Sequence, residues 1–158
     1  MELNLTGKVA VVSGGGTGIG KAIVKEYLKE GVHAAIFGRR REVLEEMAKE
    51  CEDEGAQIYY EALDVTDTAG LEAFAQHVFD RFGRIDIWVN NAGIAINKVF
   101  TDFTQADYDR VMKINLEGVF HGTRIAAEYM KRGNGGVIIN ASSFASKIPH
   151  ANGVDRKS

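Results

Sequence analysis

A doubly wound α/β domain with a parallel sheet is what this sequence predicts, and three observations predict it. Five short, β-branched apolar runs alternate with four amphipathic helical stretches. Glycine is abundant, with 18 residues against a single proline, and it gathers in the loops that follow the apolar runs. The chain has 158 residues, 45% hydrophobic and 26% charged, which is the size and composition of one globular domain.

Each element has its own signal. Residues 8–13 (KVAVVS) form an apolar run closed by glycines, the pattern of a strand buried on both faces. A helix is expected over 18–30, where Ile19, Ile23, Tyr27 and Leu28 share a face and Gly31 offers a stop. The second strand is 33–37 (HAAIF). Val43, Leu44, Met47, Ala48 and Cys51 mark the second helix, and 57–61 the third strand. Leu71, Phe74, Val78 and Phe82 line a third helix capped by Gly83, before a fourth strand at 85–90 (IDIWVN). Residues 105–130 read as one long helix with a bend in the middle, and 136–140 (GVIIN) as the fifth strand. Strict alternation requires right-handed crossovers, hence a parallel sheet with helices on both faces. No linker or repeat interrupts it, so 1–158 reads as a single domain. In such sheets ligands bind beyond the carboxyl ends of the strands.

Composition excludes several function classes. A net charge of −3 with no basic stripe argues against a nucleic-acid partner. The first residues lack a signal peptide, and no apolar run approaches the ~18 residues that span a bilayer, so no membrane partner is expected. Cys51 is the only cysteine, which rules out a disulfide framework and fits a reducing, cytoplasmic compartment. His33, His77, His121 and His150 are scattered without metal-ligand spacing, so no metal is expected.

The loops after the strands carry the chemistry. Ser13-Gly14-Gly15-Gly16-Thr17-Gly18-Ile19-Gly20 feeds a helix N-terminus, where free N–H groups and the positive dipole end suit a phosphate. It is not G-x-G-x-x-G, since Ile19, Lys21 or Ile23 falls at the third glycine position. It is not a phosphate-loop hydrolase motif either, because Ala22 replaces the hydroxyl that would hold Mg²⁺. Gly38 follows the second strand, where an acid would bind the adenine ribose and favour NAD, and Arg39 and Arg40 come next. Two guanidinium forks suit a 2′-phosphate instead. Asp64-Val65 follows the third strand, with Asp64 either accepting from an adenine amino group or capping the next helix. Asn90-Asn91-Ala92-Gly93 ends the fourth strand. Asn115 lies on a helical stripe with Tyr108, Val111 and Met112, where an amide needs partners if buried, either in a site or simply among backbone carbonyls. Ser142-Ser143 follows the fifth strand, placed to bond a substrate carbonyl.

Taken in order and at this spacing, these residues resemble the short-chain dehydrogenase/reductase family over nearly the whole chain. The resemblance implies a Rossmann-like sheet of at least five strands, order 3-2-1-4-5, without the family's last strands. It implies that Ser13 (for the usual threonine), Gly14, Gly16, Thr17, Gly18, Ile19 and Gly20 form the cofactor turn. Arg39 would mark NADP over NAD, with Arg40, Asp64, Val65, Asn91, Ala92 and Gly93 completing the cofactor site. Asn115 and Ser143 would be catalytic, the substrate a small alcohol or carbonyl compound, and the assembly a homo-oligomer paired through the long helix.

One departure bears on activity. The family's reaction needs a tyrosine acid/base tuned by the lysine of a Tyr-x-x-x-Lys motif. All five tyrosines here precede Ser143, and Asp155-Arg156-Lys157-Ser158 stands where that motif is expected, with Asp for Tyr. A C-terminally incomplete cofactor domain is therefore expected, probed against the alternative of a catalytically silent dinucleotide-binding module. Without later strands the fifth strand would be an apolar edge that invites pairing with another chain.

Overall fold

The structure, a computed structural model, describes residues 4–143. Five strands, β1 (Val9–Ser13), β2 (His33–Gly38), β3 (Ile58–Ala62), β4 (Ile87–Asn90) and β5 (Val137–Asn140), alternate with five helices. These are α1 (Gly18–Lys29), α2 (Arg41–Asp53), α3 (Thr68–Phe82), α4 (Gln105–Met112) and α5 (Gly118–Lys131). Every strand pairing is parallel, and the sheet order is β3-β2-β1-β4-β5, the doubly wound order expected.

Successive side chains of a strand point to opposite faces, so the apolar runs feed two cores. Val9, Val11, Phe37 and Trp88 face α3 and α5, packing on Phe74 and Ile125 among others. Ala10, Val12, Ile36 and Val89 face α1 and α2, against Val24 and Leu44. Burial on both faces is why these strands read as unbroken hydrophobic runs rather than as alternation. Phe37 meets Phe74 edge-on at 5.0 Å between ring centres, the geometry aromatic pairs prefer.

Helix ends follow from local chemistry. Asp67 caps α3 by accepting the Gly70 N–H at 3.0 Å, and Gly83 closes it with φ +73°. Thr104 and Asp107 form a capping box at α4, each side chain bonding the other's backbone N–H. Asp107 also accepts from Lys98 at 2.7 Å. Lys98 first, then the Thr104 backbone and hydroxyl, hold the Asp107 carboxyl down to about 2. A depressed folded pKa stabilises above the unfolded value and loses that effect as pH falls through the folded one. Asp107→Asn is therefore expected to destabilise fully at neutral pH, with the difference shrinking as pH drops from about 4 towards 2. Urea unfolding of both proteins across that range measures it.

The expected bend in the long helix is a turn of π helix, Lys113–Glu117, between α4 and α5. Beyond it, α5 lies close on the sheet through small residues. A Cβ at Gly122 would stand 2.3 Å from Asn90 Oδ1, and one at Gly118 would stand 2.9 Å from a Val65 methyl. Because the sheet is parallel, the carboxyl ends of all five strands share one edge. The chain reverses its direction of travel across the sheet between β1 and β4, which opens a crevice there.

Candidate cofactor site

The β1–α1 turn sits at the mouth of that crevice. Gly14 and Gly18 take φ of +65° and +53°, a region costly to residues with a Cβ. A Cβ at Gly20 would come within 2.3 Å of the Gly14 carbonyl oxygen and 2.7 Å of Asn91 Nδ2. Thr17 caps α1 with extended backbone but no side-chain hydrogen bond, and no acidic residue lies in the first turn. The leading amides of α1 therefore keep free donors at the positive end of the helix dipole, an anion site. Ile19 projects outward, 73% exposed, while Gly20 is buried beneath the turn.

Gly14, Gly16 and Thr17 form one wall of the cleft, and Gly38, Arg39 and Arg40 the next. Both arginines are exposed, and neither is ion-paired among the described residues. Arg40 occupies the cap position of α2, so two cations stand where a helix would favour an anion. Asp64 and Val65 line the far side. Asp64 does not cap α3, since Asp67 does; its Oδ1 accepts from the Thr66 N–H at 2.9 Å and the Thr66 hydroxyl at 2.8 Å. Burial pushes the Asp64 carboxyl up, but these bonds, with Arg39 and Lys113 nearby, outweigh it and hold the group below its usual range.

Ser13 and Asn91 work from behind the wall. The Ser13 hydroxyl, 1% exposed, donates to the Val89 carbonyl at 3.3 Å and accepts the Asn91 and Ala92 N–H groups, each at 2.9 Å. Asn91 Nδ2 donates to the Ser13 carbonyl at 3.1 Å. Together they fasten the end of β1 to the loop after β4, setting the spacing of the Gly14 and Ala92–Gly93 walls. Ser13→Ala leaves the Ala92 N–H without its acceptor, while the Asn91 N–H keeps the Val89 carbonyl at 3.1 Å, and is expected to lower stability by about 1–3 kcal/mol. Ser13→Thr, which keeps the hydroxyl, is expected to recover most of it; denaturant titration separates the two.

Asn90 knits the layers beneath. Its Oδ1 accepts Trp88 Nε1–H at 2.9 Å, and its Nδ2 donates to Thr123 Oγ1 at 3.2 Å and Asn140 Oδ1 at 2.8 Å. Asn115 is exposed rather than buried in the apolar stripe that helical periodicity gives it. It lies within the π turn, where its Oδ1 accepts the Ile94 N–H at 2.9 Å and its Nδ2 donates to the Ile94 carbonyl at 2.8 Å. Ser143 is exposed, three residues beyond β5, at the same edge of the sheet. Asp155, Arg156, Lys157, Ser158 and His150 lie outside the described residues. Ile94 and Ile114 also line the cleft; their only sequence signal is adjacency to Gly93 and Asn115. Among the described residues no three metal-ligating side chains gather, and no helix is long and apolar enough to cross a membrane.

A glycine-rich turn on a helix N-terminus, set at the switch point of a parallel sheet, defines a nucleotide-binding domain of the doubly wound class. Within that class the chain belongs to the short chain dehydrogenase family, whose sequence pattern matches residues 8–155. It is 34% identical over 148 residues to a 3alpha-hydroxysteroid dehydrogenase of Mediterraneibacter gnavus, covering 92% of this chain and 59% of that protein. It is 40% identical over 145 residues to an NADP-dependent (R)-specific alcohol dehydrogenase of Lentilactobacillus kefiri, covering 91% and 57%. A crystal structure of NAD+-bound xylitol dehydrogenase superposes with a TM-score of 0.90 at 30% identity, over 96% of this chain and 59% of that one. The chain thus spans less than two thirds of the length of these relatives.

Proposed function

We propose that the protein is an NADP-dependent oxidoreductase that moves a hydride between nicotinamide and the carbon of a small alcohol or carbonyl substrate. The observation that carries the cofactor reading is the pair Arg39 and Arg40 in the cleft wall, with Gly38 where an acid would repel a 2′-phosphate and favour NAD. The tight Gly14–Gly20 turn supports a dinucleotide generally, because it is shaped for close backbone approach. Bound nicotinamide supplies or accepts the hydride. The amides opening α1 would hold the pyrophosphate, and the arginine forks the 2′-phosphate. The ionised Asp64 carboxylate would accept from the adenine amino group. Ser143 would donate its hydroxyl proton in a hydrogen bond to the substrate oxygen, and Asn115 would keep the Ile94 loop in place. A cytoplasmic setting accords with the single, buried and unpaired Cys51. A homo-oligomer accords with Phe100, just ahead of α4, and with Tyr108, Leu116 and Phe120 along the α4–α5 segment, all large apolar side chains that are exposed.

Calorimetric titration with NADPH and NADH tests the reading. NADPH is expected to bind about ten- to a hundredfold more tightly, the worth of a charge-assisted contact. Arg39→Asp should erase or invert that preference. Equal affinities in the wild type would overturn the NADP assignment.

A further inference from the structure

Two helices start at the cofactor cleft, and each brings part of the site. α1 opens with its free amides from Gly18 onward, and α2 follows directly on Arg39 and Arg40. A ligand held by both must bridge them, so the placement of one helix against the other bears on binding. At the cleft the two meet tightly, since a Cβ at Gly16 would stand 2.9 Å from a Val43 methyl. Further along, both pack on the same face of the sheet, through Val24 of α1 and Leu44, Met47 and Cys51 of α2. Apolar burial is non-directional, so it fixes how closely each helix lies on the sheet more than how one is placed along the other.

A polar brace crosses between the helices. Glu50 of α2 accepts from both Lys21 and Lys25 of α1, and Lys25 also donates to Glu54 at 2.9 Å. Lys21 is the fourth residue of α1 and Glu50 the tenth of α2, so the tie runs obliquely. An oblique tie resists sliding of one helix along the other. An isolated exposed ion pair contributes little, but here one carboxylate holds two cations and one of these holds a second carboxylate. The bonds to Glu50 are also partly buried. Glu50 itself stands clear of the residues that line the cleft.

We propose that Glu50 is a positioning residue for the cofactor's 2′-phosphate: by tying α2 to α1 it fixes where Arg39 and Arg40 stand relative to the amides of α1. The proposal rests on the NADP assignment. With the tie in place the two guanidinium forks are ordered before the cofactor arrives. Without it they must be ordered on binding, which weakens the complex. NADH has no 2′-phosphate and makes no such demand on the forks. The sign of the effect separates positioning from charge alone. Glu50→Gln removes a negative charge near an anion site and frees two lysines, so charge alone would tighten NADPH binding. Positioning requires the opposite.

The test titrates NADPH and NADH calorimetrically into the full 158-residue chain and its variants. Glu50→Gln is expected to weaken NADPH binding about three- to tenfold. NADH affinity should stay within about twofold of the wild type, which also shows that the variant folds. In a Lys21→Gln, Lys25→Gln background the same substitution should weaken NADPH no further, because members of one network are not additive. Glu46→Gln makes the same charge change at an exposed site on α2 and should leave the NADPH-to-NADH ratio as it was. Amide hydrogen exchange over residues 43–47 of the cofactor-free chain should quicken in Glu50→Gln. Tighter NADPH binding, an unchanged ratio or unchanged exchange in Glu50→Gln would each overturn the positioning role while a wild-type preference for NADPH stands. A wild type without that preference would overturn the NADP assignment and this proposal with it.

Discussion

Gly20→Ala is expected to abolish measurable cofactor binding and to lower the melting temperature by several degrees. The new methyl would stand 2.3 Å from the Gly14 carbonyl oxygen and 2.7 Å from Asn91 Nδ2. Neither neighbour is a flexible side-chain end free to withdraw. Gly14 is held by its N–H bond to the Phe37 carbonyl at 2.8 Å, and Asn91 by its bond to the Ser13 carbonyl. Overpacking of this kind costs about 1–3 kcal/mol in a core. Here the strain falls on the turn that shapes the anion site, so relief would come by moving Gly14 away from the start of α1. Gly133→Ala supplies the contrast: its methyl would meet only the Met130 carbonyl at 3.9 Å, far from the cleft. Calorimetric titration and thermal unfolding of both variants should show loss in the first and none in the second. Wild-type NADPH affinity in Gly20→Ala would refute the cofactor role of the turn.

The 158-residue chain itself is expected to bind NADPH yet turn over no carbonyl. Ser143 can hydrogen-bond a carbonyl oxygen, but its aliphatic hydroxyl is far less acidic than a tuned phenol and does not deliver a proton at neutral pH. Asp155, which stands where the family's tyrosine is expected, has a reference pKa of about 3.9 and would repel a developing alkoxide. Loss of general acid catalysis alone costs about 10²–10⁴-fold in rate. Asp155→Tyr by itself should therefore leave the chain inactive, since no tuning lysine follows within these residues. Asp155→Tyr joined to a lysine directly after Ser158 and a family-like C-terminal portion should restore turnover. The assay is NADPH oxidation against ketones, aldehydes and 3-oxoacyl thioesters. Robust turnover by the unmodified chain would demand a different proton donor.

Much of the architecture was legible because each central strand is apolar on both faces, and such runs have few other readings. β3 begins one residue later than its run, at Ile58, and β4 two residues later, at Ile87. Ile85 is buried without being in the strand, so burial and pairing part company there. The π turn left no mark beyond a bend, since a fifth residue in a turn changes neither composition nor helical propensity. At the site, the glycine turn announced itself by density alone. The work of Ser13 did not: a hydroxyl at a strand end reads equally well as a ligand contact. Its partners come from Val89, Asn91 and Ala92, 76 to 79 positions along the chain. Asn115 misled for a related reason, because helical periodicity assigns a stripe only where the helix keeps its period.

That lapse of period at 113–117 has its own consequence for how the sequence can change. Ahead of the π turn the helix is oriented by its Thr104–Asp107 start; behind it, Gly118, Gly122 and Ala126 recur every fourth residue towards the sheet. An α-helix turns through about 100° per residue, so removing one residue from the wide turn would rotate one half against the other by that angle. Either Asn115 would leave Ile94, or a bulkier side of α5 would meet Asn90 and Val65. Single-residue insertions and deletions, which an exposed helix commonly absorbs at its ends, are thereby barred from the middle of this one. Apart from Ile114 and Asn115, the segment can drift in composition while its count stays fixed.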